Sequence, residues 1–552
     1  MQIADAPDFH PAAARYADEV AAGTLSRREF LTRATALGVS IPAAYALIGV
    51  PQPANAAAHM QQGGTLRIES TVNALKDPRT FDWPQMSNFT RGWLEYLVEY
   101  NRDGSFRGIL LEDWSVNEDG SEYTLNIRPG VTWNNGDPFT ASDVAFNIER
   151  WCDAGVEGNS MASRMGQLVD PETKQAREGA IMVVDDQTVR LSLPSPDITL
   201  IAGFSDYPAA IVHPSFNGDP LENPIGTGPY LPERFDVGVK SVLLRNTEHD
   251  WWGKGVIGEA MLDRIEYIDF GTDQASIVAA ADSDEVDMVY ESLDEYIDIF
   301  DSIGWVKSEA VTANTLVIRP NQLAEVGDMQ PYADARVRRA LAMAVDNAIC
   351  LQLGYADRGK LAENHHVCPI HPEYADIGAP KHDPEGALAL MEEAGMADFE
   401  HELISIDDTW RRNTSDVVAA QLRDAGIKVK RTVLPGATFW NDWVKYPFST
   451  TDWAQRPLGV QVLALAYRSG EPWNETGFSN AEFDAELARA MSIADADTRR
   501  DSMEKLEQIM LDEGVVIQPF WRSTFRHYKE NVVGAEQHPT FEIHVYKLGF
   551  AA

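Results

Sequence analysis

Apolar Tyr123, Leu125 and Ile127 alternate with Thr124, Asn126 and Arg128. A period of two places one set of side chains on one face of a half-buried strand. Pro129-Gly130 then turns the chain, Val131 and Trp133 read as a second extended piece, and Asn135-Gly136 supplies a tight hairpin turn. Beyond it the period lengthens. Val144, Ile148 and Trp151 recur at helical spacing behind Thr140, an N-cap, with Asp143 placed as in a capping box. The same patterning predicts a hairpin over 182–193 and strands at 66–68, 242–244 and 262–268. Residues 282–301 are densely acidic but keep Val286, Val289, Leu293, Tyr296 and Ile297 for burial, and read as a solvated helix face. The second half is punctuated by helix stops. One helix is predicted over 334–346, one from Asp383-Pro384 to Gly395, one over 415–425 feeding a strand at 427–433, and one over 497–513 feeding a strand at 515–521. Helices alternating with strands place the chain in the α/β class.

Size and charge narrow this picture. A chain of 552 residues needs two or three cores. The net charge of −39 excludes a sequence-independent grip on nucleic acid or anionic lipid, both of which require a basic surface. It reads first as an acid-rich surface that keeps the protein soluble, and second as a field that draws in cationic solutes. Cys152, Cys350 and Cys368 are too few and too widely spaced for a disulfide framework or a metal knuckle.

The amino terminus reads as an address. Residues 26–31, SRREFL, resemble the twin-arginine export motif, and a weakly apolar run over 34–50, interrupted by Gly38, Pro42 and Gly49, is short for a membrane span. Ala54-Asn55-Ala56 offers a signal-peptidase site, which predicts a mature chain starting near Ala57 with a net charge of −38 and no cysteine for a lipid anchor.

Candidate chemistry is sparse. Gly226-x-Gly228 is half a dinucleotide fingerprint and reads as a turn, and no GxSxG, HExxH or GxxxxGK[ST] pattern occurs. His365, His366, Cys368 and His371 form a metal-like cluster of irregular spacing, stiffened by Pro369 and Pro372, and read more readily as a loop bordering a cleft. Trp410, Trp440, Trp443, Trp453, Tyr467 and Trp473 crowd one third of the chain, some beside charges such as Arg411 and Asp452. Rings that give shape and a few charges that fix orientation are what a small-molecule cleft needs.

The order LEDW, DGSEYTLNIRPGVTW, NGDPFTASDV over 111–144 is similar to the block that marks family 5 of bacterial ABC-transporter solute-binding proteins, the dipeptide, oligopeptide and nickel binders. GGTLRIES at Gly63, NPIGTGPY at Asn223, DARVRRALAMAVD at Asp334, HDPEGALALMEEAG at His382 and SNAEFDAEL at Ser479 follow in the family's order. The resemblance implies a two-lobe periplasmic-binding-protein-like (type II) fold with an additional peripheral subdomain, the lobes joined by crossing strands. The boundaries it implies are a signal peptide at 1–56, lobe 1 at 57–97, 223–312 and 518–552, the subdomain at 98–222 and lobe 2 at 313–517. It further implies a monomeric periplasmic receptor without cofactor that hands a small-molecule or short-peptide ligand to an ABC permease, after export by the twin-arginine translocase. The rival expectation is a cofactor-bearing periplasmic enzyme exported folded by that route. Family members that hold peptides carry a W-x-x-D segment followed by D-P, whose aspartate takes the α-amino group; here the region reads TTDWAQRPLG, which leaves opines, amino sugars and betaine-like solutes open beside peptides. The expected ligand-binding residues are Asp452, Trp453, Trp410, Arg411 and Tyr467, with Asp452 facing a cationic group and Trp453 adding a cation–π contact. The alternative for Asp452 is a turn cap or a pair with Arg456.

Overall fold

The structure, a computed structural model, describes residues 10–52, 60–117 and 120–552. The Ala54-Asn55-Ala56 site and the expected start at Ala57 lie outside the described residues.

One mixed sheet of eleven strands runs through both lobes. Its first-lobe half carries, from the outer edge inward, Tyr230–Asp236, Lys240–Arg245, Arg264–Ile268, Thr65–Glu69 and Met288–Val289. Its second-lobe half carries Val429–Leu434, His401–Ile406 and Phe448–Trp453, and the eleventh strand, Gly359–Leu361, pairs with Phe520–Tyr528 off this path. The two central strands, Val306–Pro320 and Phe520–Tyr528, run antiparallel and join the halves. Val306–Val311 pairs with Ser523–Tyr528, the register then shifts between Val311 and Asn314, and Thr315–Pro320 pairs onward with Phe448–Trp453. A bulge of this kind bends a strand and frees its amides. Here Gln455 Oε1 accepts from the amide of Ala313 at 2.9 Å, and Thr312 Oγ1 donates to the carbonyl of Arg522 at 2.6 Å.

The alternating segment folds as predicted. Glu122–Ile127 buries Tyr123, Leu125 and Ile127 in a four-stranded antiparallel sheet with Leu111–Val116, Thr188–Ser192 and Ile181–Asp185. Asp143 Oδ2 accepts from the amide of Thr140 at 2.8 Å, closing the capping box of helix Ala141–Trp151. Val131 and Trp133 form no strand; only a Thr132–Pro138 bridge closes the turn. Gly226 is needed for close approach, because a Cβ there would lie 1.9 Å from the carbonyl oxygen of Trp93.

Further predictions change: the strand expected at 515–521 runs over Phe520–Tyr528. Helix Thr409–Asp424 begins earlier than residue 415, because Asp408 accepts from the amide of Arg411 at 3.1 Å as its N-cap. The acidic run 282–301 is not one solvated helix face. It divides into the end of helix Gln274–Asp282, strand Met288–Val289 and helix Tyr296–Ser302, and turns Asp287 and Asp294 inward. The segment expected as a removable leader forms helices Ala12–Ala22, Arg27–Ala36 and Ile41–Leu47 packed on the body.

Candidate functional site

Asp452 and Trp453 end strand Phe448–Trp453, and neighbours on a strand point to opposite faces. Asp452, 22% exposed, turns toward helix Thr409–Asp424, where Arg411 Nη2 lies 2.7 Å from its Oδ1. The same guanidinium pairs with Asp408. Trp453 Nε1 donates to Glu475 Oε1 at 2.8 Å on the other face, and its ring stands edge-on to His366 and Trp473. One cation cannot sit against both Asp452 and Trp453, and the pleat corrects that expectation. Asp452 does not pair with Arg456 either, whose Nε lies 3.0 Å from Asp206.

The early helix start explains Arg411. With Asp408 as the cap, Arg411 falls on the first turn and reaches both carboxylates. Trp410, beside it, is buried between the guanidiniums of Arg411 and Arg522, 4.5 and 3.8 Å from the ring. Its ring is a platform that orients two cations. Tyr467 is buried as well, its hydroxyl 2.6 Å from His366 Nδ1, away from Asp452's face.

Glu291 and Asp294 complete the site from the first lobe, and the sequence reading passed over both. Arg522, on the crossing strand, pairs with Glu291. Asp408 and Asp452 thus share Arg411, and Glu291 takes Arg522, whose charge also reaches Asp294; Arg358 is turned to the carbonyl of Asp294 and the carboxylate of Asp298. Burial, with Asp408 beside it, pushes the Asp294 carboxyl up to about 7. Burial also raises Glu291 and Asp408 above the usual carboxylate range. Behind Tyr290, burial pushes Glu69 up to about 7, although it accepts from the Tyr290 amide at 3.1 Å. These shifts mark negative charge that the protein itself leaves undercompensated. Rings border the cleft: Trp83 of the first lobe stands edge-on to Trp440 of the second, with centroids 4.5 Å apart, and Tyr290 stacks on Phe541 at 5.5 Å.

The metal-like loop does not assemble as a ligand set. His371 Nδ1 accepts from the amide of Cys368 at 3.0 Å and its Nε2 meets the carbonyl of Arg456, His366 is held by Tyr467, and Cys368 packs with Ala313, Ala362 and Trp521. Burial drives His365 down to about 3 and His371 to about 4, so both are neutral rings. Among the described residues the group with ligand atoms close enough to share an ion is His538, Glu542 and His544. It is internally satisfied. His538 Nδ1 accepts from Thr540, its Nε2 donates to the carbonyl of Tyr100 at 3.1 Å, His544 lies between Glu542 and Lys547, and Arg91 Nη2 is 3.1 Å from Glu542.

Two α/β lobes on one continuous sheet, joined at a bulged crossover with acidic and aromatic side chains gathered between them, make up the type II periplasmic-binding-protein fold. The model of the bacterial extracellular solute-binding proteins, family 5 (middle region) matches residues 105–475, and the chain belongs to this family. It is 22% identical over 509 residues to the dipeptide-binding protein DppE of Bacillus subtilis, an alignment covering 85% of this chain and 89% of that one. Haemophilus influenzae OppA in complex with RPPGFSPFR superposes with a TM-score of 0.79 at 18% identity, over 89% of this chain and all of that one. AgaA of A. tumefaciens R10, in complex with agropinic acid, superposes with a TM-score of 0.76 at 20% identity, over 89% of this chain and 99% of that one. Among the described residues no helix is long and apolar enough to cross a membrane.

Proposed function

We propose that this chain is the periplasmic substrate-binding component of an ABC importer, closing on a small peptide or a related amine-bearing solute and delivering it to the membrane permease. It works as a monomeric binder rather than an enzyme, and SRREFL directs its export through the twin-arginine translocase. Family membership supports the receptor role, and relatives named for a dipeptide and for agropinic acid mark the range of solutes. The observation that carries the ligand's charge is the excess of carboxylates at the cleft. Glu291 and Asp294 from one lobe and Asp408 and Asp452 from the other gather around Arg411 and Arg522. A ligand ammonium entering there replaces water with charge-assisted hydrogen bonds and offsets the desolvation that raises these carboxyls. Closure then follows from the ligand's higher affinity for the arrangement in which both sets of carboxylates reach it.

Solutes released by denaturing natively purified protein, identified by mass spectrometry, test this reading. The expected species carries a free or substituted amine and delays thermal unfolding when added back. Recovery of only anionic or uncharged solutes that do so refutes the amine assignment.

A further inference from the structure

The helices Ala12–Ala22, Arg27–Ala36 and Ile41–Leu47 lie across the boundary between the peripheral subdomain and the second lobe, with hydrogen bonds to both. Toward the subdomain, Thr32 Oγ1 donates to the carbonyl of Gly104 at 2.7 Å, Thr35 Oγ1 accepts from the amide of Phe106 at 2.8 Å, and Trp114 Nε1 donates to the carbonyl of Ala36 at 3.3 Å. Tyr45 donates to Asp103 at 2.8 Å on the same side. Toward the second lobe, Arg33, with its side chain 3% exposed, donates to the carbonyl of Pro372 at 2.8 Å and pairs with Asp497 at 3.3 Å, while Tyr16 donates to Asp495 at 3.3 Å. Every residue from Phe30 to Ala36 is buried, and Tyr16, Phe30 and Leu31 belong to one apolar cluster with Phe106 and Trp114 of the subdomain and Met503 and Leu506 of the second lobe.

The seam is close-fitting. Gly38, at φ 88°, passes so near the subdomain that a Cβ would lie 2.4 Å from the carbonyl oxygen of Trp114. Gly104, at φ 92°, would place a Cβ 2.7 Å from Thr32 Oγ1. Both positions lie in the region where a side chain adds strain to the clash.

We propose that residues 12–47 are an intramolecular strap that holds the subdomain and the second lobe together, so that the chain carrying it stays closed and opens to ligand only after the strap is lifted or removed. Arg33 is buried and its partners outside the strap, Asp497 and Pro372, belong to the second lobe, so parting the strap from that lobe leaves charge unpaired in an apolar seam. The strap lies on the boundary that Arg456 and Asp206 also cross, and it adds contacts that hold the two bodies together without a ligand. Arg27 remains exposed while Phe30 and Leu31 are buried, so a receptor that grips SRREFL along its length must first lift the helix. The strap is independent of what the cleft binds.

The test uses the full chain with probes on cysteines introduced as Met182→Cys in the subdomain and Leu353→Cys in the second lobe, both exposed; native Cys152, Cys350 and Cys368 are buried. Electron–electron distance measurement on the intact chain without ligand should give one short distance. Gly38→Val with Arg33→Glu, or proteolysis at a site engineered within residues 53–59 of the folded chain, should add a longer one. Amide exchange over 27–36 should be slowed at least about tenfold in the intact chain relative to the variant. Distances that do not change after either treatment overturn the strap, as does an intact chain that already samples the long distance or exchanges 27–36 at the unstructured rate. Both substitutions lie in the strap, so an unchanged melting profile of the body separates release from misfolding.

Discussion

At the scale of the residue, the chemistry turns on how Asp452 shares Arg411 with Asp408. A carboxylate with its own private cation has little to offer a ligand; one that divides a guanidinium with another acid keeps part of its charge available. Asp452→Asn preserves shape and removes that charge, and should weaken binding of the co-purified amine by roughly ten- to a hundredfold in titration calorimetry. Unchanged affinity with the fold intact makes Asp452 purely structural. The raised carboxyls add a pH signature. Asp294 and Glu69 both stand near 7, so at neutral pH each is partly protonated in the free protein. A bound cation favours the ionised form, so protons leave on binding and affinity should rise from pH 6 to pH 8, by up to about tenfold per unit for each proton released. Calorimetry in buffers of different ionisation enthalpy reads that release; pH-independent affinity removes both groups from the site. For folding the sign is opposite. A carboxyl raised in the folded state gives stability that is present in acid and lost as pH rises through about 7.

At the scale of the element, the start of helix Thr409–Asp424 decides whether the site exists. Asp408 serves both as cap and as a charge, and two substitutions separate the roles. Asp408→Ala removes both and should lower stability by about 1 kcal/mol, seen as a lower melting temperature, along with affinity. Asp408→Asn keeps a capping oxygen and should leave the melting temperature nearly unchanged, while relieving the repulsion that helps hold Asp294 up. If the Asn variant melts as early as the Ala variant, the carboxylate stabilises through charge rather than as a cap. The bulge between Val311 and Asn314 is the corresponding device on the crossing strand. It interrupts the ladder with Phe520–Tyr528 where the chain passes from one lobe to the other, which is where a bend disturbs the fewest pairings.

At the scale of the whole molecule, the two crossing strands are neighbours in one sheet, Thr315 opposite Trp521 and Ile318 bridged to Ile517. Lobe motion is therefore expected to hinge near 314–318 and 516–520. Small-angle scattering of the chain without its strap should show a smaller radius of gyration with the true ligand than without it; equal radii, with the free chain shown to be open, would rule out closure about this hinge. Asp206 ties the subdomain to the second lobe, taking Arg164 Nε at 2.8 Å from its own subdomain and Arg456 Nε at 3.0 Å from the second lobe. In the chain without its strap, Arg456→Gln should shift the ligand-free population toward the open form, read as a larger radius.

Short-range pattern was enough for the elements whose faces are one-sided. Alternation placed Tyr123, Leu125 and Ile127 inward, and caps and stops located the helices opened by Thr140 and Asp383 and closed by Gly395 and Gly514, because these signals act within a few residues. The long ordered block gave the family and with it the two lobes. Burial of charge was not legible in the same way. The acidic run 282–301 looks solvated in one dimension, and only the second lobe, folded more than a hundred residues later, brings Asp408 and Asp452 against Glu291 and Asp294. Asp452 and Trp453 lie in the segment that resembles the family's amine-binding region, which predicts a shared ligand, yet the pleat sends them to opposite faces. The metal-like loop likewise counted ligands along the chain, whereas each ring is committed to a partner that the fold supplies, Tyr467 for His366 and the Arg456 carbonyl for His371. Local free energies of turns, caps and periodicity are written residue by residue; which charges meet in a low-dielectric cleft depends on long-range packing, and only the tertiary structure decides it.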